Sequence, residues 1–426
     1  MDNKHTHSHP PSAGRRQLLQ LSALVSAALA APGLAQAALA PSAQARPQGD
    51  AIVPFKIQVP QAAIDDLKLR LRHTRWPEQE TQAGWVQGVP LAAARSLIED
   101  WRDRYDWRKF EARVNRYPQF LTRIDGLDFH FIHVKSRHPN ALPLLLTHGW
   151  PGSFAEFLEL IAPLTDPTAF GGRAEDAFHV IIPSLPGFGY SGKPTESGWT
   201  AERTARAWTV LMKRLGYGKW VAQGGDWGAT VTTRLGIQQA EGLAGVHLNW
   251  QFVFPDKLSD QLTAEERHAI DGVTQFTNDG FGYFRMQITR PQTVGYMLSD
   301  SPLAQAMFIY EKFQTWTDNQ GKPEDALSRT AMLDDISLYW FTDSGASSAR
   351  FYRENQSESL GQGQIHIPVA VSVFPHEIFV PPKSWVEAKY TKLVYFNKLD
   401  KGGHFAAWEQ PEVFVQELRK GFASLR

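Results

Sequence analysis

The chain's 426 residues set 44 Lys and Arg against 44 Asp and Glu, and 42% of them are hydrophobic. Zero formal charge offers neither nucleic acid nor an anionic membrane surface an electrostatic hold. The lack of any cysteine excludes disulfides, thiolate catalysis and Cys-based zinc or iron–sulfur sites.

Residues 1–45 read as an export signal and linker. Arg15-Arg16 precede an Ala/Leu-rich run from Leu18 to about Ala31, and Ala35-Gln36-Ala37 offers a small-residue cleavage site. The arginine pair followed by Gln17-Leu18-Leu19 is similar to a twin-arginine signal, which exports folded proteins, so the expected location is the periplasm. Pro32 and Gly33 end the apolar run short of the ~20 residues a spanning helix needs. No stable membrane anchor is therefore expected; an uncleaved anchor is the alternative. His5, His7 and His9 ride on this segment.

Residues 46–128 are expected to be a helical N-terminal region. Ile64, Leu67 and Leu71 share one helical face, as do Leu91, Ala94, Ile98, Trp101 and Tyr105, with breaks at Trp76-Pro77 and Val89-Pro90. From Phe129 the period changes. Short apolar runs at 142–146, 180–182, 220–222, 246–248, 369–374 and 393–396 alternate with helical sequence, which reads as a buried, mostly parallel sheet in an α/β fold. Ser153 opens an expected capping box with Glu156, and a helix from about Thr200 to Leu215 stops at Gly216. Residues 129–250 and 365–426 form the two parts of this core. Between them, 251–364 lose the strand rhythm and become helical and aromatic-rich, the pattern of a lid over the sheet's carboxyl edge.

The chemistry concentrates at Gly224-Gly225-Asp226-Trp227-Gly228, directly after the strand 220–222. This pattern is similar to the nucleophile elbow of the α/β-hydrolase fold, with Asp226 where an esterase carries Ser. His148-Gly149-Trp150-Pro151 follows another strand, where that fold sets its second oxyanion donor; the two donors are the backbone N–H groups of Trp150 and Trp227. His148 itself reads as a turn residue bonding backbone. His404, in Gly402-Gly403-His404-Phe405 past the last strand, fits the base, and His376 is its rival. Glu377 fits the acid, with Asp256 the alternative one strand earlier. Gly187 to Gly192 spells G-x-G-x-x-G, but Pro194 and Gly198 follow at once and no helix start faces a pyrophosphate. No metal or cofactor is implied.

A carboxylate nucleophile is anionic at neutral pH and suits attack on an sp3 carbon, giving an enzyme ester that His404 and Glu377 then hydrolyse with water. An alkyl halide or an epoxide would serve. Here the lid is informative, because Gly282-Tyr283, Arg290-Pro291-Gln292-Thr293, Glu311 to Trp316, Arg350 to Asn355 and Gly402 to Ala407 resemble the microsomal-type and juvenile-hormone-type epoxide hydrolases. That resemblance implies a small apolar epoxide and water as substrates, with Tyr283 and Tyr352 hydrogen-bonding the epoxide oxygen and Glu377 as the acid. It also implies an anchored N-terminus, from which the export signal departs. A haloalkane dehalogenase and a non-catalytic binder of apolar ligands are the rival readings.

Overall fold

The computed structural model describes residues 45–255, 257–356 and 363–426. Among them, one sheet holds nine strands: β1 (Ile52–Phe55), β2 (Gln119–Ile124), β3 (Leu127–Val134), β4 (Leu142–Thr147), β5 (Phe178–Pro183), β6 (Trp220–Gly224), β7 (Leu243–Leu248), β8 (Val369–Val373) and β9 (Leu393–Lys398). Their order is β1-β2-β3-β5-β4-β6-β7-β8-β9. Strands β4 to β9 run parallel, and β1 to β3 continue antiparallel from β5.

Alternation along the central strands explains why both faces are covered. Leu145, Ile181 and Ala222 pack to one side with the helices Ala201–Arg214 and Asp226–Ile237, whereas Leu144, Leu146, Val180, Ile182 and Val221 pack to the other with Leu158–Thr165 and Pro411–Gly421. The chain leaves β4 toward β5, then crosses back to β6 on β4's opposite side. That reversal opens a crevice at the carboxyl ends of β4 and β6, the place where open α/β sheets bind ligands. Between β7 and β8 come six α-helices, from Ala264–Gln275 to Gly345–Glu354, with no intervening strand among the described residues.

The region expected to be wholly helical contains helices at Gln61–Arg72, Leu91–Asp103 and Trp107–Val114, but it begins and ends in strands. β2 and β3 form a hairpin closed at Ile124↔Leu127, with Asp125 (φ 50°) and Gly126 (φ 80°) at its tip. Asp-Gly is the favoured pair for such a two-residue turn, because both positions need positive φ. The capping box also forms only in part. Ser153 Oγ accepts from Ala155 N at 3.2 Å, opening a tight 3-10 turn at Phe154–Phe157 before the helix proper. The Glu156 carboxyl lies over Gly152, where the Ser153 amide favours its charged form.

Candidate active site

Asp226 ends β6 and begins the helix Asp226–Ile237. Its φ of 49° is left-handed, a conformation costing a non-glycine residue about 1–2 kcal/mol. Close packing on both sides holds it there. A Cβ on Gly228 would stand 1.9 Å from the Thr147 carbonyl oxygen, and one on Gly149 would stand 2.2 Å from Asp226 Oδ1. Only glycine at both positions lets the elbow and the loop after β4 touch. There the Trp150 amide donates to Asp226 Oδ1 at 2.9 Å. The Trp227 amide lies in the helix's first turn, where backbone N–H groups have no intrahelical acceptor.

Behind the carboxylate stands His404. Its Nε2 is 3.4 Å from Asp226 Oδ2, and its Nδ1 is 2.6 Å from Glu377 Oε1. Both partners are almost fully enclosed, with His404 and Glu377 side chains 3% and 2% exposed. Burial by itself would depress the imidazolium. The Glu377 and Asp226 carboxylates outweigh it, so the His404 pKa stands well above the ordinary histidine value. Glu377 is fixed in turn by Ile378 N donating to Oε1 at 2.8 Å. The rival base His376 is half exposed and pairs with Asp318 at 3.1 Å, outside this group. Asp256, the alternative acid, lies outside the described residues. His148 holds backbone: Nδ1 is 2.9 Å from the Gly149 carbonyl, and Nε2 accepts from Leu185 N at 3.1 Å. Burial lowers its pKa to about 4, which keeps it neutral.

Tyr283 and Tyr352 come from two different lid helices, Gly282–Thr289 and Gly345–Glu354, and meet over Asp226. Their rings are 6.0 Å apart at 83°. With Asp226 they line one cavity of about 170 Å³, whose other walls are mainly Trp227, Trp250, Phe252, Phe276, Phe281 and Phe284. Burial, then the neighbouring negative charge of Asp226, raises Tyr283 well above the ordinary phenol range. Burial, Tyr283 and Asp226 do the same for Tyr352. Both phenols are therefore protonated donors at any working pH, and Tyr352 Oη is buried without a hydrogen-bond partner.

Three contributions were not legible in the sequence. The Trp150 ring stacks on Tyr283 (5.0 Å, 8°) and meets Tyr352 edge-on (5.8 Å, 89°), so the residue whose amide holds Asp226 also spaces the two phenols. Lys312 Nζ sits over the Tyr283 ring at 4.4 Å. Glu409 accepts from the amides of Asp318, Gly403 and Phe405 at 2.7–3.0 Å and so shapes the His404 loop. Only the two glycines before His404 hinted that a loop there needed tying down. The Gly187–Gly192 loop packs against Ser347, and the next helix begins at Ala201, so it presents no dinucleotide site.

Similarity to known proteins identifies the family. The family model described as epoxide hydrolase N terminus matches residues 52–157, and that of the alpha/beta hydrolase fold matches 143–411. A putative epoxide hydrolase of Stigmatella aurantiaca is 61% identical over 88% of this chain and 86% of its own length. Epoxide hydrolase 1 of Sus scrofa is 36% identical, over 89% and 90%. Among solved structures, juvenile hormone epoxide hydrolase of the silkworm Bombyx mori superposes with a TM-score of 0.81 at 30% identity, covering 89% of this chain and 96% of that one. The Aspergillus niger epoxide hydrolase gives 0.78 at 34%, over 90% and 99%. With its elbow aspartate, lid phenols and His–Glu pair on such a scaffold, the chain belongs to the epoxide hydrolase family of the α/β-hydrolase fold.

Proposed function

We propose that this epoxide hydrolase forms its diol in two steps, through an ester on Asp226. Trp150 N–H already holds Oδ1, which leaves Oδ2 to attack an epoxide carbon. As the ring C–O bond breaks, Tyr283 and Tyr352 hydrogen-bond the departing oxygen, and one of them gives it a proton. Ester formation removes the Asp226 charge, which is one of the two that raise His404, so the pKa falls and the neutral imidazole that the second step needs is favoured. His404 then takes a proton from water, and the resulting hydroxide attacks Asp226 Cγ. The amides of Trp150 and Trp227 hold the tetrahedral oxyanion, a contribution of roughly 3–4 kcal/mol per donor in comparable sites. Collapse frees the diol and the carboxylate, and the proton on His404 restores the phenol.

The observation that carries this reading is the convergence on Asp226: two protonated phenols face it across one apolar cavity, and His404 with Glu377 stands at its other oxygen. The aromatic walls favour a small apolar epoxide. Turnover of a styrene-oxide-type substrate in 18O water tests it. Label entering the Asp226 peptide over many turnovers, and absent from diol in a single turnover, is the expected result. Diol labelled in that single turnover would refute the ester, and halide release from haloalkanes without any diol would favour a dehalogenase.

We further propose that the enzyme works in the periplasm. The support is the Arg15-Arg16-Gln17-Leu18-Leu19 pattern and its apolar run, which lie outside the described residues. Among the described residues, no helix is long and apolar enough to cross a membrane. Cell fractionation checks this: Arg15→Lys with Arg16→Lys should hold the protein in the cytoplasm, and unchanged export would refute the signal.

A further inference from the structure

Asp226 lines two cavities, and it is the one residue common to both walls. The second is small, about 20 Å³, and polar, with His404, Glu156, Gln223, Thr147 and Asn249 in its lining. Its size fits a single water, which needs about 10–15 Å³ and two to four polar partners. The partners are there. Gln223 Nε2 donates to Asn249 Oδ1 at 2.7 Å, which leaves Gln223 Oε1 without a partner, as is Thr147 Oγ1. Glu156 brings a carboxyl. It reaches the cavity because residue 152 is glycine: a Cβ there would fall 1.5 Å from Glu156 Oε1. Among the described residues no ion pair neutralises Glu156. Burial and then the nearby Asp335 favour its neutral form, while His404 favours the charged one.

We propose that Glu156 is a positioning residue for ester hydrolysis, accepting a hydrogen bond from the water that His404 deprotonates. The proposal rests on the Asp226 ester reading. A water attacking the ester has two protons; His404 takes one, and the other needs an acceptor that fixes the direction of the lone pair. A carboxyl supplies an acceptor oxygen in either protonation state. Of the acceptors in the wall that are not themselves reacting groups, Glu156 is the one whose charge is felt by both His404 and Asp226.

Rapid-quench kinetics with styrene oxide separates the two steps. Glu156→Leu keeps the shape and removes the acceptor, whereas Glu156→Gln keeps an acceptor oxygen. Ester formation in E156L should stay within about twofold of the parent while ester decay slows roughly tenfold to a hundredfold, the cost of a misplaced reactant. Ester should then accumulate in the steady state, and E156Q should restore most of the decay rate. Gly152→Ala offers a second route, because its methyl displaces the Glu156 carboxyl without altering it, and it should show the same selective defect. Equal slowing of both steps, or E156L ester decaying at the parental rate, overturns the positioning role while leaving the ester mechanism intact. Failure to trap an ester on Asp226 even in the parent overturns both.

Discussion

Glu377→Gln tests the catalytic pair by removing a charge and almost nothing else. Glutamine matches the shape of glutamate, and its carbonyl can still accept from His404 Nδ1. The pair is 2.6 Å apart and nearly sealed from solvent, so water does not screen what is lost. A hydrogen bond to a charged partner contributes about 1.5–3 kcal/mol. At about 1.4 kcal/mol per decade, that is on the order of 10- to 150-fold in the step that makes imidazolium. In the proposed mechanism His404 accepts a proton in ester hydrolysis and not in ester formation, so ester decay should slow by that factor while ester formation stays within a few-fold. The sign of the pH effect follows from the cause of the shift. Glu377 helps hold the His404 pKa above its ordinary value, so removing its charge lowers that pKa. The midpoint at which ester decay rises with pH then moves to lower pH, and the loss is greatest on the alkaline plateau. Single-turnover quench-flow from pH 5 to 10 measures both quantities. Parallel slowing of the two steps, or an unmoved midpoint, would show that Glu377 does not act through His404.

Tyr283→Phe and Tyr352→Phe should each slow ester formation roughly 10²- to 10³-fold, the effect of losing one donor at a developing oxyanion, with ester decay little changed; stopped-flow quenching of tryptophan fluorescence can follow this step, because Trp150 and Trp227 flank Asp226. Burial lowers His247 to about 3, against about 6.5 for the unfolded chain. The stability tied to its neutral form is present above that unfolded value and is lost as pH falls toward 3. Denaturant unfolding should therefore show His247→Gln at its greatest disadvantage near pH 7 and gaining on the parent below about 6.5; a constant gap would refute the assignment. The comparison with the variant matters because buried Glu409, raised to about 7, pulls the overall slope the other way. Gly228→Ala should cost at least about 1–3 kcal/mol and abolish turnover, since its methyl meets backbone at 1.9 Å. Gly272→Ala, whose nearest neighbour is at 3.5 Å within a helix, should be neutral or stabilising in the same melts.

The parallel strands were legible because burial on both faces demands continuous apolar runs such as Leu142 to Leu146. The elbow was legible because Gly224, Asp226 and Gly228 meet a steric requirement that few residues satisfy. Tyr283 and Tyr352 carry no such local mark. A buried tyrosine looks alike in a core and over an active site, and only family resemblance singled these two out. β2 was missed for a different reason: helical spacing in the preceding stretch overshadowed Asp125-Gly126, a sound hairpin signal. Trp150's ring and Glu409 were beyond reach, since their roles depend on partners more than one hundred residues away or on backbone amides that carry no sequence identity.

The N-terminal region explains how the lid can hold two phenols in register over Asp226. Its strands belong to the main sheet, while its helices grip the lid helix Arg329–Phe341. Trp101 Nε1 donates to Ser337 Oγ at 2.8 Å, and Tyr105 Oη and Arg113 both donate to Asp334, at 2.8 and 3.0 Å. Arg329 returns the contact, bonding Ser96 and Asp100. On its other side the same lid helix reaches the loop that carries the oxyanion donor. Ser153 Oγ donates to Asp335 at 2.6 Å, and Tyr339 Oη donates to the Gly152 carbonyl at 2.9 Å. Asp334 and Asp335, adjacent in sequence, thus face opposite partners and tie the N-terminal region to the loop that holds Trp150. Breaking either side would leave a buried carboxyl without a donor, a loss of roughly 1–3 kcal/mol per unsatisfied group. The N-terminal region thus acts on the site through rigidity: it lines neither cavity at Asp226, yet it braces the frame on which Trp150 spaces both phenols above that residue.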